Sequence, residues 1–340
     1  MKTVSLTFDY ELFFNKSGTF KNSLFRPTND LLKALDAKGI KATFFIDVLY
    51  YSRLLEVNIE EAKILREQLQ LLVAKGQRIE LHLHPHWLDA KYEGPEWIFP
   101  NYDHYKLQSL PEEKVTDLFV SGSEILNEIA SEVSKNYKVI AFRAGGWSIA
   151  PFDKLKQGFL KSGIQIDSSI AFGMKIKASP FDFDYTNAPN YDCYKFCDDP
   201  TKVDAKAIFY EIPITTFSNN LSNKIYNRFF RFYYFTLNKF ADKVYGDGSY
   251  MSINTPKGLE RICAKISPAY EFLSIENNSP YLLINRIEKL RKNLFVIMSH
   301  PKGLSQSSFD CIKSLSCQNY HFLTLYDLLK QNIIDDLLPT

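Results

Sequence analysis

Val4-Ser5-Leu6-Thr7-Phe8-Asp9-Tyr10-Glu11 is a short strand-like run that ends on two acids. A helical pattern follows at 29–38 and stops at Lys38-Gly39, a breaker suited to a helix C-terminus. The alternation continues along the chain. Further strand candidates are 42–46, 78–83, 139–142, 164–167, 208–214, 294–299 and 321–324, with helical patterns at 59–75, 112–135, 152–162, 280–292 and 326–331. Two more of these helices stop at Lys75-Gly76 and Ser162-Gly163. Strands alternating with helices read as βαβ units around a parallel sheet. Eight strands suit a barrel, complete or incomplete, and an open doubly wound sheet is the alternative.

Composition bounds the class. The 340 residues are 45% hydrophobic and 24% charged, which excludes disorder, collagen and coiled coil as the main architecture. Lys and Arg number 41 against 39 Asp and Glu, so no global field draws nucleic acid, and none is expected as a partner. Aromatics reach 15%, which suits a bulky core or flat ligands such as sugar rings. Met1 is not followed by an apolar export segment. Five cysteines, an odd number, then point to reduced thiols and a cytoplasmic location. Cys193 and Cys197 are spaced for a shared zinc but lack a second ligand pair nearby.

Residues 172–270 break the rhythm and are expected to form an insertion or lid within a single 1–340 domain. Their core is Ile225-Tyr226-Asn227-Arg228-Phe229-Phe230-Arg231-Phe232-Tyr233-Tyr234-Phe235, with Lys224, Arg228 and Arg231 on one helical face. The plain reading is an aromatic helix packed over the barrel. The sharper one is an interfacial helix at 224–240 touching a membrane surface or a lipid-linked substrate.

In a parallel α/β fold the site gathers at the carboxyl ends of the strands. Asp9 and Glu11 share a face at strand spacing. Past the third strand stands Glu80-Leu81-His82-Leu83-His84-Pro85-His86-Trp87, three histidines in five residues, suited to a divalent metal. If the strand continues, all three share a side; if it ends at Pro85, His82 and His86 converge. Phe142-Arg143-Ala144-Gly145-Gly146-Trp147, Asp167-Ser168-Ser169 and His300-Pro301-Lys302-Gly303 follow later strands. Arg143 can orient a carboxylate, and His300 can complete an acid/base pair.

Read in order, Thr7-Phe8-Asp9-Tyr10-Glu11, His82 to His86, Phe142-Arg143-Ala144-Gly145, Asp167-Ser168-Ser169 and Ser299-His300 resemble the five motifs of the NodB-homology polysaccharide deacetylases, carbohydrate esterase family 4. The resemblance implies a distorted (β/α) barrel of about seven strands. It implies Asp9 as general base, His300 as general acid, His82 and His86 as metal ligands, Arg143 orienting Asp9, and Asp167 supporting His300. Tyr10 replaces the family's metal-binding aspartate, so Glu11 is taken as the substitute ligand. The third motif lacks its proline. The expected cofactor is one divalent metal, zinc first, with cobalt, nickel or manganese as alternatives. The expected reaction is removal of an N-acetyl group from a sugar of a nucleotide- or lipid-linked surface-polysaccharide precursor. Trp87, Trp97, Tyr102, Tyr105 and Trp147 are candidates for a sugar subsite. A barrel-type metal phosphoesterase and an inactive glycan-binding homologue are the alternatives.

Overall fold

The computed structural model describes residues 1–177, 180, 182–238, 243–251 and 269–339. Nine strands form the main sheet: β1 (Lys2–Tyr10), β2 (Ala42–Asp47), β3 (Arg78–Leu83), β4 (Ala141–Ala144), β5 (Ile166–Asp167), β6 (Tyr194–Phe196), β7 (Phe209–Glu211), β8 (Leu294–Ser299) and β9 (Tyr320–Phe322). Their spatial order is β6-β7-β5-β4-β3-β2-β1-β8, with β9 also pairing to the start of β1. Every pairing is parallel except β6 with β7. The segment that follows β7 reaches back to β8 and to the end of β5 through irregular backbone rather than a ladder. Thr215 N donates to Val296 O at 3.0 Å, and Ile214 N to Ile170 O at 2.9 Å. The result is the distorted barrel that the resemblance implied, one of the two architectures the alternation left open.

Period 2 sorts each strand into two faces. On β1, Val4, Leu6, Phe8 and Tyr10 join the large core between sheet and helices. Thr7 and Asp9 lie on the other face and both accept from Arg143. Inside the barrel, Phe45, Ala141, Ile212, Leu294 and Val296 pack with Leu325 and Leu328 of the short helix Leu325–Lys330. That second core fills the interior, so only the mouth at the carboxyl ends of the strands is left for polar chemistry.

The outer helices follow their apolar spacing. Helix α1 (Arg26–Asp36) starts on Pro27 and buries Leu31, Leu32 and Leu35. Helix α2 (Val48–Val57) has no counterpart in the sequence reading; its aromatic, β-branched start masks the helical period. Helix α3 (Ile59–Ala74) is capped by Asn58, whose side chain accepts from Glu61 N at 3.2 Å. Helices α4 (Glu112–Ser131) and α5 (Asp153–Ser162) complete the first half. The three expected stops, Gly39, Gly76 and Gly163, all take positive φ, between 66° and 78°.

The stretch 172–270 supplies two sheet strands, β6 and β7. It also holds a hairpin of Lys175–Ile176 with Phe183–Asp184, and Thr216–Asn219, which pairs with Ala269–Phe272. Helix α6 (Leu221–Leu237) is the aromatic helix and buries none of its residues. It packs half-buried, with Tyr226 and Phe230 against Tyr281 of the helix Pro280–Lys289. Residues 178, 179, 181, 239–242 and 252–268 of this stretch, Cys263 among them, lie outside the described residues. Helices α7 (Pro280–Lys289) and α8 (Gln306–Ser314) flank β8. Among the described residues no helix is long and apolar enough to cross a membrane.

Candidate active site

A cavity of about 290 Å³ opens at the carboxyl ends of β1, β3 and β8. Asp9, Glu11, His82, His84, His300 and Lys302 all line it. The backbone explains the histidines. Strand β3 ends at Leu83, yet His84 stays extended (φ −117°, ψ 92°) and keeps the face of His82. Pro85 then starts a 3₁₀ turn, Pro85–Asp89, which rotates His86 away. His86 stacks on Tyr105 at 5.3 Å, and neither of its ring nitrogens has a hydrogen-bond partner among the described residues. The histidine beside Glu11 and His82 is thus His84, not the expected His86.

Glu11 Oε2 lies 2.9 Å from His82 Nε2 and 2.6 Å from His84 Nε2. His82 Nδ1 lies 2.6 Å from Arg143 O, a carbonyl that can only accept, so Nδ1 holds the proton. A neutral His82 then aims its Nε2 lone pair at a carboxylate. Acceptors do not face one another without a proton or a cation between them. Glu11, His82 and His84 are the one group among the described residues whose ligand atoms, all within 4.8 Å of one another, suit a metal ion. The donor set fits a divalent ion. Cys193 and Cys197 form no such group; Cys193 is buried and its Sγ donates to Ile334 O.

Electrostatics follow from this crowding. Burial would raise the Glu11 carboxyl, but Lys302 and His84 hold it well below the usual carboxylate range. Burial would lower His82, but Glu11 and Asp9 raise it. Burial wins at His84, which is pushed down to about 4, leaving a neutral imidazole suited to a ligand. Asp47, cross-strand from His82, is pushed up to about 7 by burial, although Trp87 Nε1 donates to it at 2.5 Å.

Asp9 is held by Arg143, whose Nη1 donates to Oδ1 at 2.6 Å. Arg143 is wholly buried; its Nε donates to Ser168 O at 2.7 Å and its Nη2 to Ser168 Oγ at 3.0 Å. Across the cavity, His300 Nε2 stands 3.9 Å from Asp9 Oδ2 and 3.7 Å from Glu11 Oε1. Its Nδ1 lies 2.9 Å from Glu276 Oε1. Burial would lower His300, but Glu276 and then Glu11 raise it. Asp167 does not reach His300. It accepts from Ser169 Oγ at 2.7 Å and lies beside Glu211 on β7, its cross-strand neighbour. The acid supporting His300 is Glu276.

Lys302 was quoted in the sequence without a role, and Glu276 was not singled out. Lys302 Nζ donates to Glu11 Oε1 at 2.8 Å and to Leu12 O at 2.7 Å. Its spacing of two from His300 is the signal that could have flagged it. Glu276 lies in the loop before α7, outside any periodic pattern, so nothing local marks it. Of the aromatic candidates, Tyr105 and Trp147 line the cavity, whereas Trp87 and Trp97 are core. Tyr102 donates to Phe14 O. Trp147 holds φ 57° beside Gly146 at φ 60°, a backbone that L side chains seldom adopt. A Cβ on Gly146 would stand 2.6 Å from the Tyr105 ring. Tyr10 turns the opposite way and donates to Gln68 Oε1 at 2.7 Å, so it is no ligand.

The family model of polysaccharide deacetylase matches residues 1–157. Over that stretch, a little under half of the chain, the sequence is similar to polysaccharide deacetylases. The match spans Asp9, Glu11, the histidines and Arg143 of the deacetylase region, while Glu276, His300 and Lys302 come from beyond it. Among solved structures, a protein assigned as a polysaccharide deacetylase from Mycobacterium smegmatis aligns at TM-score 0.50 and 12% identity, over 99% of this chain and 93% of that one. A carbohydrate esterase family 4 pseudoenzyme from Bacillus anthracis aligns at 0.44 and 12%, over 97% and 66%. A peptidoglycan deacetylase from Bacillus subtilis aligns at 0.38 and 13%, over 99% and 95%. At these identities the first likeness speaks to fold alone. No curated protein sequence matches the chain.

Proposed function

We propose that this chain is a metal-dependent hydrolase that removes an N-acetyl group from a sugar of a surface-polysaccharide precursor, nucleotide- or lipid-linked. One observation carries the reading. A fixed carboxylate (Asp9), an imidazole with its own acid (His300 with Glu276) and a Glu-His-His donor set face one small cavity. Glu11 Oε2, His82 Nε2 and His84 Nε2 would hold the ion, zinc first. When bound, such an ion supplies Lewis-acid polarisation of the acetamide carbonyl and an acidified water.

The chain's own groups do the rest. Arg143 fixes Asp9 Oδ1 and leaves Oδ2 toward the cavity to take the water's proton. Lys302 holds Glu11 Oε1, so that Oε2 stays aimed at the histidines. His300, as imidazolium, donates from Nε2 to the leaving amine, which departs poorly unprotonated. Tyr105 and Trp147 offer flat walls to the sugar ring. The proposal places the protein in the cytoplasm, as one domain with 172–270 inserted. It includes peripheral membrane contact through the described part of 224–240, where Ile225, Phe229 and Tyr233 are exposed at four-residue spacing.

A second reading, a glycan-binding scaffold without catalysis, has Lys302 in its favour: a buried ammonium already balances Glu11. A phosphoesterase needs more ligands than the one described cluster supplies. The experiment counts metal in protein purified without chelator and measures acetate release from N-acetylated sugars. One ion per chain, with acetate release lost by about 10²–10⁴-fold in Asp9→Asn and His300→Ala, supports the deacetylase. His84→Ala should lose the ion and His86→Ala should keep it. Protein that binds no metal and releases no acetate from any sugar refutes it.

A further inference from the structure

A second cavity, of about 560 Å³, lies behind the catalytic one. The two share a wall. Glu276 lines the second and hydrogen-bonds His300 of the first. Phe272 also lines the second, and its ring stands 4.6 Å from that of Trp147. Four cations face this space: Lys224, Arg228 and Arg231 from α6, and Arg286 from α7. Two acids line it as well, and Glu271 acts on Arg231 and Arg286 across the space. Glu271 Oε1 accepts from Asn219 Nδ2 at 2.7 Å, and Glu276 serves His300.

The three arginines make no ion pair among the described residues. Arg231 donates to the neutral Asn277 Oδ1, and Arg286 lies on the Phe217 ring at 4.1 Å. Burial and the neighbouring Arg231 push Arg286 down to about 10, whereas Glu271 acts the other way. Three guanidinium groups and a lysine outnumber the two acids here, and none of the three is in a direct ion pair among the described residues; an anion with several oxygens would complete that arrangement, and phosphate matches the guanidinium fork.

We propose that this cavity is a diphosphate subsite, holding the phosphates of a sugar diphosphate whose N-acetylated ring enters the catalytic pocket. The substrate class rests on the deacetylase reading above; anion binding does not. The diphosphate has two sources, a nucleotide or a polyprenol lipid, and the exposed aromatic side of α6 makes the lipid a physical option.

Inorganic pyrophosphate is the probe. Isothermal titration with the full-length protein should show saturable binding. Arg231→Gln/Arg286→Gln should weaken it by at least about tenfold, while Lys33→Gln, a surface lysine paired with Asp30, should not. Arg286→Lys keeps a cation over Phe217 and should fall between, and Arg228→Gln, at an exposed position, removes one cation without touching the core. Displacement of pyrophosphate by a nucleoside diphosphate identifies the nucleotide source; displacement by a polyprenyl diphosphate in micelles identifies the lipid. Absence of binding, or equal binding to the double variant, overturns the subsite. Acetate release from an uncharged N-acetylated oligosaccharide separates the two proposals. Release without pyrophosphate binding keeps the deacetylase and sinks the subsite, and Arg-dependent binding without release of acetate from any sugar does the reverse.

Discussion

Two buried acids sit at strand ends in the same barrel, and their neighbours give them opposite characters. Asp9 on β1 meets the Arg143 guanidinium. Asp167 on β5, next to Arg143's strand β4, meets Glu211 instead. In the first pair a fixed cation compensates the charge of the buried carboxylate. In the second, burial and the neighbouring Asp167 drive the Glu211 carboxyl well above the usual range. A buried strand-end acid is thus charge-compensated in one place and paired with a second acid in the other.

The sharpest way to break it is to remove the cation. Arg143→Met leaves Asp9 buried and uncompensated, which should cost about 3–5 kcal/mol. For a chain of this length that lowers Tm by on the order of 10 °C. Arg143→Met/Asp9→Asn should recover much of the loss, because the stranded charge is gone. Thermal melts of the single and double variants check this. A double variant no more stable than Arg143→Met would mean that the arginine acts through its contacts to Ser168 and not through Asp9.

A smaller effect is expected where an acid tunes a histidine. Glu276 accepts from His300 and raises its imidazolium against burial. Glu276→Gln keeps an acceptor but removes the charge, so the imidazolium should deprotonate at lower pH. If His300 is the general acid, the alkaline limb of the kcat/KM profile should move toward acid. Activity above neutral pH should fall by about tenfold, within the reach of one general-acid contribution. An unmoved alkaline limb would transfer the acid role away from His300.

The fold was legible because its strands and helices each carry their own period. All eight strand candidates overlap observed strands, and six helical patterns overlap observed helices. The site was legible in part. Asp9, Glu11, His82, Arg143 and His300 meet because alternation on parallel strands sends odd positions of β1 and even positions of β3 into one mouth. The choice between His84 and His86 was not readable, since it depends on one extended residue before Pro85. Glu276 was hidden for a different reason. It lies in a loop that precedes α7 and approaches His300 only through tertiary packing, where no sequence period reports contact. Asp167 misled because a strand-end acid looks the same in sequence whether an imidazole or another acid waits beside it.

The mildest test concerns that acid pair. Glu211 Oε2 is buried without a hydrogen-bond partner if the group is ionised, and a proton on it would be donated to Asp167. A carboxyl whose folded pKa lies above its unfolded value binds its proton more tightly in the native state. It contributes stability that is complete below the unfolded value, near pH 4.3, and is lost as pH rises through the folded value. The loss runs at about 1.4 kcal/mol per pH unit within that window. Glu211→Gln supplies a permanent donor to Asp167 and cannot ionise. The variant should therefore show a flatter decline of stability from pH 5 upward, and should match or exceed the parent at the alkaline end. Urea unfolding across that range reads the slope directly. A parent whose stability rises with pH over the same interval, unchanged by the substitution, would mean that the pair carries no proton, and the contrast with Asp9 and Arg143 would lose its physical basis.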